Sequence, residues 1–215
     1  MPTDDDTITI YSDYVCPFCY LGRQSLSAYQ ERREAPLAID WRPFDLRAQK
    51  RGPDGEIDHS VDDGKDESYF DQVRENVRRL REEYDAEEML GIDEVPDVDS
   101  FDAQVAARYV KREHPESWLV FDEAILSALW VDGRDIGDPD VLADLAEDAG
   151  LDGAAIRDAI DDEDEREGLR EAFGEAQARG ITGVPTFVYD GHAARGSVPP
   201  AHLERLVEGE SRQSV

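Results

Sequence analysis

The apolar residues of this chain follow a strand pattern near its two ends and a helical pattern between them. At the start, the apolar and β-branched run of residues 7–12 predicts a buried strand. A helix-compatible stretch continues to about residue 33. Residues 37–44 then predict a second strand, with Ile39 and Trp41 on one face. The first 45 residues therefore predict a β-α-β unit.

The middle of the chain has the periodicity of amphipathic helices. From about Ser68, apolar residues recur at steps of three and four, as one face of a helix requires; they are Phe70, Val73, Val77, Leu80 and Tyr84. Further helices are predicted at 99–113, 116–131, 138–149, 152–159 and 163–179. We expect the hydroxyl of Ser100 to cap the first of these, and Asp138-Pro139 to begin the third.

Strand signals return after Gly180. A strand at 185–189, a hairpin turn at Asp190-Gly191 and a partner strand at 193–196 are predicted, with a final helix near 199–208. We expect the β-rich ends to pair in one sheet, giving an α/β protein with a large all-helical insertion. The predicted divisions are 1–46 and 180–208 for the sheet domain, 47–65 for a connecting loop, 66–179 for the inserted helical domain and 209–215 for a tail.

Acidic residues dominate the composition. The 215 residues include 52 Asp and Glu against 23 Lys and Arg, a formal net charge of −29. So much negative charge repels itself in a compact state, but at molar salt the screening length falls to about 3 Å. Because the acids alternate with periodic apolar residues, we expect a folded protein from a halophile and not a disordered chain. The same surface repels phosphates and argues against nucleic acid as a partner.

Nothing in the sequence predicts export or membrane insertion. The segment 1–6 is short and acidic, whereas a leader peptide begins with a basic region, and the apolar run that follows is too short for a leader's apolar region. No stretch approaches the ~20 apolar residues that a membrane span needs. We therefore expect a soluble, cytoplasmic protein with no membrane partner.

The only two cysteines form the motif Cys16-Pro17-Phe18-Cys19. A C-x-x-C between a strand and a helix is typical of thiol redox sites. Residues three apart lie on one side of the first helical turn, where free backbone N–H groups favour a thiolate. In a reducing cytosol such a pair is more often catalytic than structural.

The alternative interpretation of the two cysteines is half of a zinc site. Such a site needs about two further soft ligands. The four histidines lie in different segments without metal-ligand spacing; they are His59, His114, His192 and His202. We therefore predict no metal and no other cofactor.

Two stretches resemble signatures of the thioredoxin superfamily, and more closely those of its DsbA-like branch of the FrnE-like kind. They are residues 12–22, which contain the C-x-x-C, and residues 180–187, which contain Val184-Pro185. Residues 131–138 are similar to the helical insert of that family. The resemblance covers nearly the whole chain and implies a thioredoxin-like fold with a large all-helical insertion.

The resemblance also implies catalytic roles. Cys16 would be the exposed nucleophile and Cys19 the buried resolving thiol, so that a mixed disulfide forms and is then resolved. Val184–Pro185 would be a cis bond facing the cysteines. Without the cysteine motif, Pro185 would be interpreted as an ordinary trans proline at a strand edge.

Substrate contacts are expected around the motif. Tyr14, Pro17, Phe18 and Val184 are the predicted substrate-binding residues, with Tyr20 as a further apolar neighbour. The backbone of Val184 is available to an extended substrate segment by strand addition. The expected substrates are protein or small-molecule disulfides and dithiols, with an unidentified redox partner. The Pro-Phe dipeptide lacks the histidine of the most oxidising relatives, which favours a disulfide oxidoreductase over a strong oxidase.

Two other functions remain open, as does the choice between a monomer and a homodimer. One is a thiol-dependent isomerase or transferase resembling glutathione transferase kappa and hydroxychromene-carboxylate isomerase. Those relatives have a serine at the position of Cys16, and a second cysteine at 19 favours redox chemistry instead. The other is a non-catalytic binding or holdase protein that uses the apolar surface around Phe18.

Overall fold

The structure is a computed structural model that describes residues 6–52 and 55–209. It contains a mixed four-stranded sheet in the order β2-β1-β3-β4. β1 runs parallel to β2 and antiparallel to β3, and β3 pairs antiparallel with β4. The strands are β1 (Thr7–Ser12), β2 (Ala38–Pro43), β3 (Thr186–Tyr189) and β4 (His192–Arg195). The two ends of the chain thus share one sheet, as predicted.

Eight α-helices accompany the sheet in the described part of the chain. They are α1 (Pro17–Gln30), α2 (Glu67–Glu83), α3 (Phe101–Glu113), α4 (Pro115–Trp130), α5 (Pro139–Asp148), α6 (Gly153–Asp161), α7 (Glu163–Ala178) and α8 (Pro200–Glu208). Each predicted helix is present within about three residues of its predicted bounds. The stretch predicted as a loop contains a short 3-10 helix, Ala48–Lys50, and a bridge between Arg51 and Ile57. The predicted α/β class is confirmed.

Buried apolar side chains join the sheet to the helices. Ile8 and Ile10 of β1 pack with Leu26 of α1, Phe187 of β3 and Leu203 of α8. A larger cluster of buried apolar side chains lies between α3, α4, α5 and α6 and extends to the sheet. Among its members are Tyr14, Leu21, Trp41, Phe121, Ile125 and Leu129. The segment that follows β1 is therefore packed between the sheet and the helices, and this segment contains the cysteine motif.

Ser100 is the N-cap residue of α3, as predicted, but its hydroxyl accepts from no helical N–H, so the predicted capping hydrogen bond is wrong. Its hydroxyl donates to Oδ1 of Asp13 at 2.5 Å, and the N–H of Phe101 is accepted by Asp99 instead. The bond that the hydroxyl donates to a buried carboxylate is stronger than the bond that it would accept from a neutral backbone N–H, which explains the preference. At α5 the prediction is confirmed, because the helix begins at Pro139 with Asp138 as its N-cap. The Asp138 carboxylate accepts from the N–H of Asp140 at 2.9 Å.

Some predicted segments fall partly outside the described residues. These are the first five residues of the sheet domain, residues 53 and 54 of the connecting loop, and the tail beyond Gly209. Among the helices that are described, none combines the length and apolar character needed to cross a bilayer.

Candidate active site

The two cysteines lie at the junction between β1 and α1. The carbonyl of Asp13 accepts from the N–H of Cys16 at 3.2 Å, which turns the chain after β1. Cys16 is the N-cap residue with extended backbone, and Pro17 begins the helix, at a position where its missing N–H costs no hydrogen bond. The N–H of Cys19 donates to the carbonyl of Cys16 at 2.9 Å. The first helical turn therefore holds the two thiols on one side, as the spacing predicted.

The two thiols are free and in different environments. Burial raises the pKa of Cys19 well above its ordinary value, and the hydrogen bond and charge interaction with Cys16 raise it further. A backbone interaction with Asp13 and a hydrogen bond with Ser12 oppose this only in part. Cys19 is therefore a neutral thiol at neutral pH. The thiol of Cys16 instead donates to the carbonyl oxygen of Val184 at 3.7 Å.

The expectation that Cys16 is exposed is wrong. Only 3% of the residue is accessible, against 1% for Cys19. The reason is the loop before β3, which brings the Val184 carbonyl onto the sulfur. This conformation leaves little of the side chain for a substrate to contact.

The Val184–Pro185 peptide bond is cis, as the resemblance implied. Its loop is held to the residue after β4 and to its own turn. The Pro185 carbonyl accepts from the N–H of Gly196, and the Thr186 hydroxyl donates to the Gly183 carbonyl. Pro185 also lies against α1 at Gly22. A Cβ atom at Gly22 would stand 3.1 Å from Pro185 and from the Phe187 ring, so glycine at this position allows the close approach of helix and loop.

The predicted substrate contacts divide into two groups. Pro17, Phe18 and Val184 are partly exposed beside Cys16. Tyr14 and Tyr20 are buried and present no contact surface in this conformation, contrary to expectation. The Tyr14 hydroxyl donates to Asp122 of α4 at 2.8 Å, and its ring stacks on Trp41. Its hydrogen-bond partner thus lies in the interior.

Next to the cysteine motif lies Asp13, a buried carboxylate that the sequence alone did not single out. It accepts from the Ser100 hydroxyl at 2.5 Å, the Leu46 N–H at 2.8 Å and the Val15 N–H at 3.2 Å. Burial raises the pKa of Asp13 to about 6, although these donors lower it. The carboxylate thus joins the cysteine loop to the start of α3 and to the segment after β2.

A second buried polar cluster joins the same loop to α4. Nε1 of Trp130 donates to the Tyr14 carbonyl at 2.8 Å. Oδ2 of Asp122 lies 2.8 Å from a guanidinium nitrogen of Arg23 on α1, although the two atoms lack hydrogen-bond geometry. Burial raises the pKa of Asp122, while Arg23 and Tyr14 lower it. The sequence carried one signal, because Asp122 interrupts the apolar face of α4 that contains Trp118 and Ile125.

The described residues bring together no group of three or more His, Cys, Asp or Glu side chains that could hold a metal ion. The cysteines are adjacent to each other and to Ser12, Asp13 and Val184. This arrangement can support thiol chemistry between two sulfurs.

Comparison with known proteins agrees with this geometry. The family model described as "DSBA-like thioredoxin domain" matches residues 7–208. A curated relative, the uncharacterized protein YwbO of Bacillus subtilis (strain 168), is 28% identical over 212 residues, which cover 96% of this chain and 98% of the relative.

Solved structures of other proteins share the fold. A probable DsbA oxidoreductase of Streptomyces coelicolor matches with a TM-score of 0.74 and 20% identity, over 97% of this chain and 92% of that one. A 2-hydroxychromene-2-carboxylate isomerase matches with a TM-score of 0.75 and 20% identity, over 96% and 97% of the two chains. Because the family model spans nearly the whole sequence, this chain belongs to the DsbA-like thioredoxin domain family.

Proposed function

We propose that this protein is a thiol–disulfide oxidoreductase that exchanges disulfides through Cys16 and Cys19. The observation that carries the proposal is the asymmetry of the two thiols. Cys16 lies at the N-cap of α1, where backbone N–H groups favour an anion. Cys19 lies behind it as a neutral thiol in a buried environment. A disulfide exchanger needs this combination of an attacking thiolate and a second sulfur within reach.

The reaction proceeds in two exchanges. The Cys16 sulfur, as thiolate, attacks one sulfur of a substrate disulfide, and the other substrate sulfur leaves and takes up a proton. Cys19 then loses its proton, and its sulfur attacks the Cys16 sulfur. The second substrate thiol leaves and is protonated. The substrate gains two electrons and two protons, while Cys16 and Cys19 become a disulfide; a dithiol substrate drives the same steps in reverse.

Substrate binding is assigned to the rim around Cys16. Pro17, Phe18 and Val184 form a partly exposed apolar rim that can contact many sequences. An extended substrate segment would pair with the Val184 backbone by strand addition, replacing the Cys16 thiol at that carbonyl. Proteins or small molecules with disulfides or dithiols fit this rim, as expected for the FrnE-like kind of DsbA-like protein.

Two assays on the full chain test the proposal. Wild type is expected to catalyse insulin disulfide reduction by dithiothreitol, or the oxidation of a reduced protein, or both. Cys16→Ser should lose this activity, whereas Cys19→Ser should accumulate a mixed disulfide at Cys16. A wild type that is inert in both directions would contradict the proposal.

The structural similarity to 2-hydroxychromene-2-carboxylate isomerase supports a second candidate function, a thiol-dependent isomerase. A thiol-dependent isomerase needs an activating group at position 16 and does not need Cys19. A glutathione-dependent isomerase activity that Cys19→Ser retains, and that does not require disulfide exchange, would favour that function.

A further inference from the structure

A cavity of about 400 Å³ lies beside β2, the edge strand of the sheet. Its walls come from β2, from α3 and from the end of α7. It contains neither cysteine and neither residue of the Val184–Pro185 loop. It is therefore separate from the proposed redox site. Its volume lies within the range of about 300–1,000 Å³ that is usual for small-molecule sites.

The charge of this cavity is opposite to that of the chain. Five lining residues are cations, namely Arg42, Arg108, Lys111, Arg112 and Arg179, and two are acids, Asp40 and Glu175. In the whole chain, Asp and Glu outnumber Lys and Arg by 52 to 23. One of only three lysines is among the five. A chance sample of this surface would be acidic, so the cluster of cations calls for a physical reason.

Carboxylates hold four of these cations in place. Asp40 accepts from Arg42 and from Lys111. Glu165, which lies outside the lining, accepts from Arg108 at 3.0 Å and from Arg112 at 2.9 Å, and Glu113 also accepts from Arg112. These pairs fix the three guanidinium groups and the Lys111 ammonium in position while leaving further N–H donors on each.

Arg179 differs from the other four cations. It is exposed at the end of α7 and makes no ion pair with any residue that the structure describes. Its guanidinium is free to bind a ligand at the cavity. A guanidinium can contact a phosphate or a carboxylate through two parallel hydrogen bonds, and such bidentate contacts are among the stronger hydrogen-bonded interactions in proteins.

The edge of β2 supplies a further donor. The Trp41 carbonyl accepts from Lys111 Nζ at 2.6 Å, so it points away from β1. In a strand the N–H of the same residue points to the same edge, which directs the Trp41 N–H toward the cavity. Pro43, Ala172 and Ala176 add apolar lining for a carbon skeleton.

We propose that this cavity binds a small organic anion that carries at least two phosphate or carboxylate groups. Two such groups are needed to contact Arg179 and the cations held by Asp40 and Glu165 together. The net charge of −29 repels anions at long range. Binding therefore depends on the local arrangement of donors and not on a general attraction to the surface.

Isothermal titration calorimetry tests the proposal with tripolyphosphate and with citrate as probes. Both titrations use the full chain at the lowest KCl concentration that keeps it folded by circular dichroism. Wild type is expected to bind at least one probe saturably at one site. Tripolyphosphate alone would assign a phosphorylated ligand, and citrate alone a carboxylate ligand.

Arg179→Gln is expected to weaken that binding about tenfold or more, the effect of losing one charge-assisted contact. The matched control is Arg205→Gln, which removes another exposed arginine without an ion pair among the described residues. Arg205 lies on α8, which packs against β4 at the opposite edge of the sheet, so affinity should stay within about twofold.

Arg42→Gln is a second test at the other side of the cavity and should also weaken binding. Thermal denaturation of each variant identifies any loss of folding. Absence of saturable binding by either probe would overturn the proposal. Equal affinity of Arg179→Gln, Arg42→Gln and wild type, or equal weakening by Arg205→Gln, would overturn it as well.

Discussion

The charged residues next to the cysteine loop and those on the helix surfaces are arranged differently. Asp13, Arg23 and Asp122 are each at most 6% exposed, and they contact partners far away in the sequence. On α2, by contrast, exposed Arg74 pairs with Asp71 one turn away and with Asp93 in the next segment. On α7, Arg170 pairs with Glu163 and Glu167 of its own helix.

This difference indicates that the buried and the surface charges have different roles in the molecule. The buried groups join the cysteine loop to α1, α3 and α4, and removing one partner leaves another buried without compensation. The surface pairs are solvated, so each contributes little. Together, however, the surface acids determine the net charge and hence the response to salt. The buried groups should thus determine pH dependence and local stability, and the surface should determine salt dependence.

The largest expected effect concerns the surface. Lowering KCl from about 3 M to about 0.1 M lengthens the screening distance to about 10 Å, so repulsion among the 52 acids should destabilise the fold. We expect the circular dichroism signal and the thermal midpoint to fall steeply over this range. A thermal midpoint that is the same at both salt concentrations would contradict the claim that the surface acids determine the salt dependence of stability.

The next effect concerns the interior. Asp122→Ala removes the acceptor of the Tyr14 hydroxyl and the nearer of the two carboxylates beside Arg23, leaving only the more exposed Glu123 at 3.7 Å. The free energy of unfolding should fall by about 3–5 kcal/mol. The deficit, measured by urea denaturation, should be similar at about 1 M and about 3 M KCl because buried charges are screened little. Asp122→Asn retains an acceptor for Tyr14 and should lose less. A deficit that vanishes in high salt would show that this pair behaves as a surface pair.

A pH effect follows from Asp13. Its pKa is raised to about 6 from 3.8, so the folded state holds this proton more tightly than the unfolded state. The stabilisation from that proton is complete below about pH 4 and is lost as the pH rises through about 6. Asp13→Asn cannot ionise. The unfolding free energy of wild type relative to this variant should therefore fall by about 3 kcal/mol between about pH 4 and pH 7, at 1.36 kcal/mol per pKa unit.

Urea denaturation of both proteins across this range, at constant KCl, measures the effect. The comparison between the two proteins cancels the titration of the other acids. A difference that does not change with pH would show that Asp13 has an ordinary pKa in the folded protein.

The smallest effect is expected at single surface pairs. Arg170→Gln breaks contacts with Glu163 and Glu167, yet its side chain and both partners are exposed. The urea midpoint should stay within experimental error of wild type. A loss as large as that of Asp122→Ala would abolish the distinction between interior and surface.

Local patterns in the sequence predicted most of the fold. The C-x-x-C after β1, the proline before β3 and the three- and four-residue periodicity of the helices are all contained in short windows. The cis bond at Val184–Pro185 was implied only through the resemblance of two distant stretches. These signals were sufficient for the sheet, the helices and the two sulfurs at the start of α1.

The environment of the sulfurs was not predictable in this way. Asp13 contacts Ser100 across 87 positions of the chain, and Tyr14 contacts Asp122 across 108. The position of Asp122 on the apolar face of α4 signals a buried carboxylate, but a single sequence does not show which distant residue pairs with it. From the sequence alone, Tyr14 is therefore predicted as a surface contact and Ser100 as a cap. The burial of Cys16 likewise depends on Val184, 168 positions away.

The most direct test of the redox proposal is an equilibrium titration of Cys16 and Cys19 in glutathione redox buffers at high KCl. Alkylation of free thiols followed by mass spectrometry counts the cysteines that remain reduced at each potential. The proposal predicts that both become protected together in one two-electron transition, as an intramolecular disulfide. Two thiols that stay alkylatable at every potential, or that are modified independently of each other, would contradict it.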